Sequence, residues 1–401
     1  MSSSSSSSSY GRGARILSVG LALTGVVTLA YFVLATYALD ARDYGAVSLL
    51  WSITFIVATV IYRPIEQLLA RTVARGHEFG RVPALIQGGF ALAFLVVALA
   101  LRGPLVDLLN DSPALYWILV AAVLAYAASY FARGYLAGSG RFELYGALVF
   151  VEATSRVLFP LAVVLGVAGG PTAVALGIAA APVLSLLVVP WALRRRARPA
   201  DAQEALSLRA GSGFAGSVLI IMAAEQTLIN AAVLTTRATA PLLVGVVFNA
   251  LLIVRAPLQL FQAVQGSLLP HLATAKAEEF ARALRVTVLA IAAFTGAVAL
   301  GLLAIGPLVM GIFDIDYDYD RFGLAAIGLG MGFHLVSGTL NQAALARDRA
   351  GRAATAWVGA AVSFVVWLLV PVVDDPVLRV EGGYLGATAG LAAMLAMILR
   401  R

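Results

Sequence analysis

Apolar runs of about 20 residues, separated by short polar segments, recur along the whole length of this 401-residue chain. Twelve are readable, at roughly 16–39, 44–62, 84–101, 114–132, 144–168, 171–193, 214–234, 241–265, 284–305, 322–346, 353–373 and 383–399. Continuous runs of this length suit helices, which satisfy their own backbone hydrogen bonds. They do not suit the alternating strands of a membrane barrel. The pattern predicts an all-α integral membrane protein of about twelve transmembrane helices.

Two short stretches occur twice. Glu78-Phe79-Gly80-Arg81 returns as Glu279-Phe280-Ala281-Arg282, and Gly103-Pro104-Leu105-Val106 returns unchanged as Gly306-Pro307-Leu308-Val309. The near-constant offset divides the chain into related halves of six spans each. Six is even, so both halves start from the same side, which makes them parallel lobes related by a pseudo-two-fold along the membrane normal. The expected organisation is a serine-rich disordered tail over 1–15, lobes over 16–193 and 214–401, and a basic linker over 194–213. The buried charges do not repeat. Moved back by about 200 residues, Arg255 falls near Phe55, and Glu225 near Thr24 or Gly25.

Composition agrees with a membrane location. The chain is 61% hydrophobic and 12% charged, against about 25% charged in soluble domains. With no cysteine, disulfides and thiolate metal sites are excluded. His77, His271 and His334 are too far apart in sequence to suggest a metal site. The net charge of +7 follows a membrane pattern and not a nucleic-acid patch. Segments on the N-terminal side carry most of the arginines, for example Arg194, Arg195, Arg196, Arg198 and Arg209 between the halves and Arg347, Arg349 and Arg352 after span ten. The opposite side has Arg42, Arg102, Arg237, Arg321 and Arg379. The positive-inside rule then places both termini in the cytoplasm, as expected for a multi-pass protein of a prokaryotic plasma membrane. No cleavable signal peptide is evident before the first span.

No nucleotide-binding motif surrounds the single lysine, Lys276. Gly138-Ser139-Gly140 is turn-like and too weak for a phosphate loop. The alternating Asp314, Asp316, Asp318 and Asp320 fail as a calcium loop, because Tyr319 and Ala325 stand where glycine and glutamate are needed. They read as a solvated acidic loop.

Ionisable residues at membrane depth are the stronger signal. Glu152 and Arg156 share a face of span five, either as a self-neutralising pair or as an ion-coupling acid beside a substrate arginine. Glu225 in span seven and Arg255 in span eight read as a bridge between those spans or as cavity groups. Gln226, Asn230, Asn249 and Gln259 are polar cavity candidates beside them. Arg255-Ala256-Pro257 puts a helix-kinking proline next to the buried arginine. Arg63, where span two ends in Arg63-Pro64, either snorkels to the inner interface or guards the cytoplasmic mouth.

Three stretches resemble the polysaccharide flippases of the MOP (multidrug/oligosaccharidyl-lipid/polysaccharide) superfamily. These are Arg63-Pro64-Ile65-Glu66-Gln67-Leu68-Leu69, Arg133-Gly134-Tyr135-Leu136-Ala137-Gly138-Ser139-Gly140-Arg141-Phe142, and Pro257-Leu258-Gln259 with Leu268-Leu269-Pro270. The resemblance implies a secondary transporter, not an enzyme. It would flip a polyprenyl-diphosphate-linked oligosaccharide from inner to outer leaflet by alternating access, for cell-surface polysaccharide biosynthesis. Arg255, Arg156 and Arg63 would meet the diphosphate. Glu225 and Glu152 would be the ion-coupling candidates, with H+ or Na+ as the coupling ion and no cofactor. The partners would be the lipid-linked glycan, membrane lipids and glycan-assembly proteins. The alternative is a cation-coupled drug or metabolite exporter of the same superfamily using Glu225. A membrane glycosyltransferase or glycan polymerase is less favoured, because no substantial outer loop carries catalytic groups.

Overall fold

The computed structural model describes residues 20, 23–74, 82–190, 208–255, 277–313 and 319–400. The serine tract, the Glu78–Arg81 repeat, Arg194 to Arg198, Pro257, Gln259, Leu268 to Pro270, and Asp314, Asp316 and Asp318 lie outside the described residues. The chain divides into two compact units, residues 1–206 and 207–401. Among the described residues all regular structure is helical.

The first unit holds α1 (Leu23–Ala38), α2 (Ala41–Ala74), α3 (Val82–Ala100), α4 (Arg102–Leu108), α5 (Pro113–Gly138), α6 (Phe142–Val164) and α7 (Gly170–Ala180), the last running into a 3-10 turn at Ala181–Leu187. The second holds α8 (Leu208–Thr239), α9 (Pro241–Arg255), α10 (Ala277–Met310), α11 (Arg321–Ala346), α12 (Ala350–Leu369) and α13 (Pro376–Arg400). Nine of the described helices are long and apolar enough to cross a membrane. The pair α3–α4 makes a tenth, bent by 76°, and α1 and α9 are shorter apolar helices. The described part of each of the twelve expected spans therefore falls on an apolar helix, and the chain is a multi-pass, all-α membrane protein.

Helix starts follow local chemistry. Asp40, Ser112, Asp320 and Asp375 accept hydrogen bonds from backbone N–H groups in the first turns of α2, α5, α11 and α13. Such caps satisfy donors that the helix itself leaves unpaired. Asp320, read from sequence as part of a solvated acidic loop, is thus a cap. The Gly138-Ser139-Gly140 turn ends α5. There Gly140 takes φ +68°, while Arg141 N–H bonds Leu136 O at 2.9 Å and Gly140 N–H bonds Ala137 O at 3.1 Å. This is a glycine-dependent helix stop.

Two sequence boundaries shift. Span two does not end at Arg63-Pro64, because α2 continues through Pro64 to Ala74. Span four runs on to Gly138, which brings Arg133 inside α5. The second repeat also behaves differently in the two units. Gly103 to Val106 lies in α4, after the 76° bend, whereas Gly306 to Val309 lies within the unbroken α10.

In the first unit α2 lies along α5, and both meet α7. Small residues set the approach. A Cβ on Gly134 would stand 2.8 Å from Glu66 O, and one on Gly138 would stand 2.6 Å from Ala70 O. The spacing Gly134-x-x-x-Gly138 gives α2 a bare strip of α5 to rest on. In the second unit α11 meets α10 and α13, while α12 meets α8 and α13. Gly330 is pressed against Tyr384, where a Cβ would come within 2.8 Å of Tyr384 Cδ1.

Candidate functional site

In the second unit, α8 and α11 bring together Glu225 and His334. His334 Nε2 stands 3.4 Å from Glu225 Oε1. The imidazole is 2% exposed and the carboxylate side chain 31%, so one member is enclosed and the other is within reach of water or ligand. The His334 ring meets Trp357 of α12 edge-on, with centroids 5.5 Å apart. Trp357 Nε1–H in turn donates to Asn341 Oδ1 at 3.2 Å. The imidazole is thus held between an indole ring and a carboxylate.

Arg255, at the described end of α9, takes other partners than the acid expected from sequence. It donates to the Ile229 carbonyl and, at 3.5 Å, to Asn230 Oδ1. Asn230 donates to Gln226 O at 3.0 Å. The arginine therefore binds the polar side of α8 one turn beyond Glu225. Tyr384 of α13 lies within electrostatic reach of both Arg255 and Glu225, and its hydroxyl donates to Met331 Sδ at 3.6 Å. Asn249 is buried on α9. The structure thus gathers Glu225, Gln226, Asn230 and Arg255 along adjoining parts of α8 and α9, and Gln259 lies outside the described residues.

In the first unit Glu152 and Arg156 take different partners. Glu152, 1% exposed, pairs with Arg133 of α5 and accepts from Ser129 Oγ at 2.9 Å and from Ser185 Oγ. Its oxygens are turned to α5 and to the turn after α7, not along α6. Arg156 is left to an aromatic setting. Its guanidinium lies 4.6 Å from the Trp51 centroid and 5.8 Å from that of Phe55, and it donates to Tyr126 Oη at 2.9 Å. A guanidinium over aromatic faces is held by the ring quadrupole without an anion. Tyr31 stacks on Trp51 and donates to Val174 O at 3.0 Å, which ties α1, α2 and α7 around the same cluster. Arg63 is half-buried within α2. One turn on, Glu66 accepts from Tyr145 Oη at 2.9 Å.

Sequence reasoning missed Arg133, which it placed in a loop, and it set His334 aside for lack of metal-ligand spacing. The usable signal for His334 was its depth in span ten, where a titratable side chain is itself informative. Nothing in the linear pattern pointed to Ser129, Ser185 or Tyr126 as partners.

No protein-family model matches the sequence, and no curated protein matches it. The fold does have solved counterparts. An outward-facing multidrug resistance MATE family transporter of the MOP superfamily is similar with a TM-score of 0.70 at 13% identity, over 98% of this chain and 94% of that one. An inward-facing transporter of the same description gives 0.66 at 13% identity, with 96% of each chain covered. A Vibrio cholerae MATE transporter gives 0.63 at 15% identity, over 98% and 97%. At 13–15% identity these counterparts share the fold of this chain. The chain has a fold similar to that of solved MATE transporters.

Proposed function

We propose that this chain is a proton-linked exporter of drug- or metabolite-sized organic molecules, working by alternating access, with its arginine-rich side in the cytoplasm. The observation that carries the reading is the Glu225–His334 pair, a partly exposed carboxylate against an enclosed imidazole. Fold likeness to multidrug resistance transporters in both outward- and inward-facing conformations supports the transport cycle. In this reading Glu225 exchanges protons for cargo and His334 positions its carboxylate and shares the proton. Trp357, Tyr384 and Arg255 are the aromatic, phenolic and cationic groups around them.

Flipping of a polyprenyl-diphosphate-linked oligosaccharide is the second reading. It draws on Arg156, a buried cation whose described partners are aromatic rings and a tyrosine hydroxyl. It has less support, because Arg255 is already engaged by α8 and the solved counterparts are multidrug exporters.

Efflux of a panel of fluorescent organic cations and anions from cells lacking their own exporters tests the choice. Wild-type chain is expected to lower accumulation of at least one dye, and Glu225→Gln to abolish that effect at equal membrane abundance. Undiminished efflux by Glu225→Gln would remove the acid from the mechanism. Absence of any efflux, with accumulation of lipid-linked glycan in a deletion strain, would move the assignment to the flippase.

A further inference from the structure

The second unit carries a cavity that the transport chemistry leaves unused. It sits where α10 begins and α13 stops, and has a volume of about 640 Å³, within the ligand-sized range. Its wall is apolar, with Leu284 and Val288 from α10, Leu340 from α11 and Leu399 from α13. Its rim is cationic, formed by Arg285, Arg347, Arg349 and Arg400. Among the described residues no carboxylate lines it. The acids nearest in sequence, Glu278, Glu279 and Asp348, are exposed and stand outside the lining. Neither Glu225 nor His334 contributes to it.

Two of the four cations are fixed without an acid. The Arg347 guanidinium lies over the Phe280 ring, 4.1 Å from its centroid, and Arg349 donates to the Ile398 carbonyl. The cavity also borders α10, the least enclosed of the long described helices. Only 17% of the most apolar window of α10 is enclosed by protein, and Val286 and Leu289 beside the cavity are exposed.

An apolar trough ending in guanidinium groups at the polar end of spanning helices fits one ligand chemistry, an acyl chain that carries a phosphate. Guanidinium matches phosphate oxygens in a two-pronged geometry, and basic pockets between transmembrane helices select anionic headgroups. Arginines that merely snorkel to the interface need no cavity behind them. We propose that this cavity holds an anionic phospholipid of the surrounding bilayer. Its phosphate would rest on Arg285, Arg347 and Arg400, and one acyl chain would lie against Leu284, Val288 and Leu340.

Native mass spectrometry of the delipidated full chain in neutral detergent tests this, with phosphatidylglycerol and phosphatidylcholine of identical acyl chains as probes. Wild type is expected to prefer phosphatidylglycerol by about tenfold or more. Combining Arg285→Gln, Arg347→Gln and Arg400→Gln is expected to weaken phosphatidylglycerol binding roughly 100-fold, from about fivefold per basic residue, and to abolish the preference over phosphatidylcholine. Leu284→Trp fills the trough with the arginines intact and is expected to weaken phosphatidylglycerol binding as well. Arg400→Gln alone, at an exposed helix end, is the variant least exposed to folding defects and is expected to cost about fivefold. Equal binding of the two lipids by wild type, or an unchanged preference in the triple variant or in Arg400→Gln, overturns the proposal. Millimolar inorganic phosphate is expected to leave phosphatidylglycerol bound; complete displacement would make this a free-anion site and also overturn it.

Discussion

Removing the Glu152 carboxylate is expected to destabilise the first unit strongly. Glu152 is 1% exposed and Arg133 14%, so deleting the acid leaves a guanidinium that water barely reaches without its direct partner, and Glu66 as the acid still in its electrostatic range. Breaking a buried ion pair from one side costs about 3–5 kcal/mol. The hydroxyls of Ser129 and Ser185 lose their acceptor at the same time, although they can rotate toward other oxygens. Glu152→Ala is therefore expected to cost about 3–5 kcal/mol. Glu152→Gln keeps an oxygen for the serines but loses the charge-assisted bond, at about 1.5–3 kcal/mol.

Unfolding of the purified chain by titration of sodium dodecyl sulfate into neutral micelles, followed by tryptophan fluorescence, gives both numbers. A double-mutant cycle then identifies the partner. Glu152 with Arg133 is expected to show a coupling of about 1–3 kcal/mol, and Glu152 with Arg156 a much smaller one. A Glu152→Ala variant within about 0.5 kcal/mol of wild type, or a larger coupling to Arg156 than to Arg133, would refute the assignment.

Three further outcomes follow from the same geometry. Gly138→Val is expected to force α2 away from α5, since even a Cβ would stand 2.6 Å from Ala70 O; a cost of about 1–3 kcal/mol or more would be read in the same titration, and a neutral effect would contradict the close approach. Trp51→Leu is expected to lose about 0.5–2 kcal/mol through the Arg156 contact, and a cycle with Arg156→Met should recover most of it. His334→Gln removes the ring that stands 3.4 Å from Glu225 Oε1 and is expected to lower efflux at equal membrane abundance; unchanged efflux would take His334 out of the transport path.

Much of the architecture was legible because a bilayer leaves few options for a chain that must satisfy its own backbone. Twelve apolar runs became apolar helices, and the parity of six spans per half follows from counting. Boundaries were less legible where a single residue dominated the reading. Pro64 looked like a stop and is carried within α2, because the helix on either side is long enough to absorb one missing hydrogen bond. Arg133 looked like a loop residue because it is charged, yet it lies in a helix and answers Glu152.

The charged residues themselves were visible, but their pairing was not. Helical spacing proposed Glu152 with Arg156 and adjacency of spans proposed Glu225 with Arg255. In both cases a different helix supplies the partner, Arg133 of the preceding helix in one and His334 of a helix remote in sequence in the other. Pair spacing along one helix is a local rule, whereas three-dimensional neighbours depend on which faces the bundle closes. The repeat also stopped short of the chemistry. The position equivalent to Arg255 is near Phe55, which lies beneath Arg156, so the related halves place different groups at comparable points.

The central claim is that Glu225 couples proton movement to export, and one reconstitution addresses it. Wild-type chain in proteoliposomes, with a pH-sensitive dye in the lumen and a substrate found by the efflux panel, is expected to move protons when substrate is added and to accumulate substrate against its gradient when a pH gradient is imposed. Glu225→Gln should retain substrate binding and lose both responses. Substrate accumulation in wild type that is indifferent to the pH gradient and to a protonophore, or proton movement that persists in Glu225→Gln, would contradict the account.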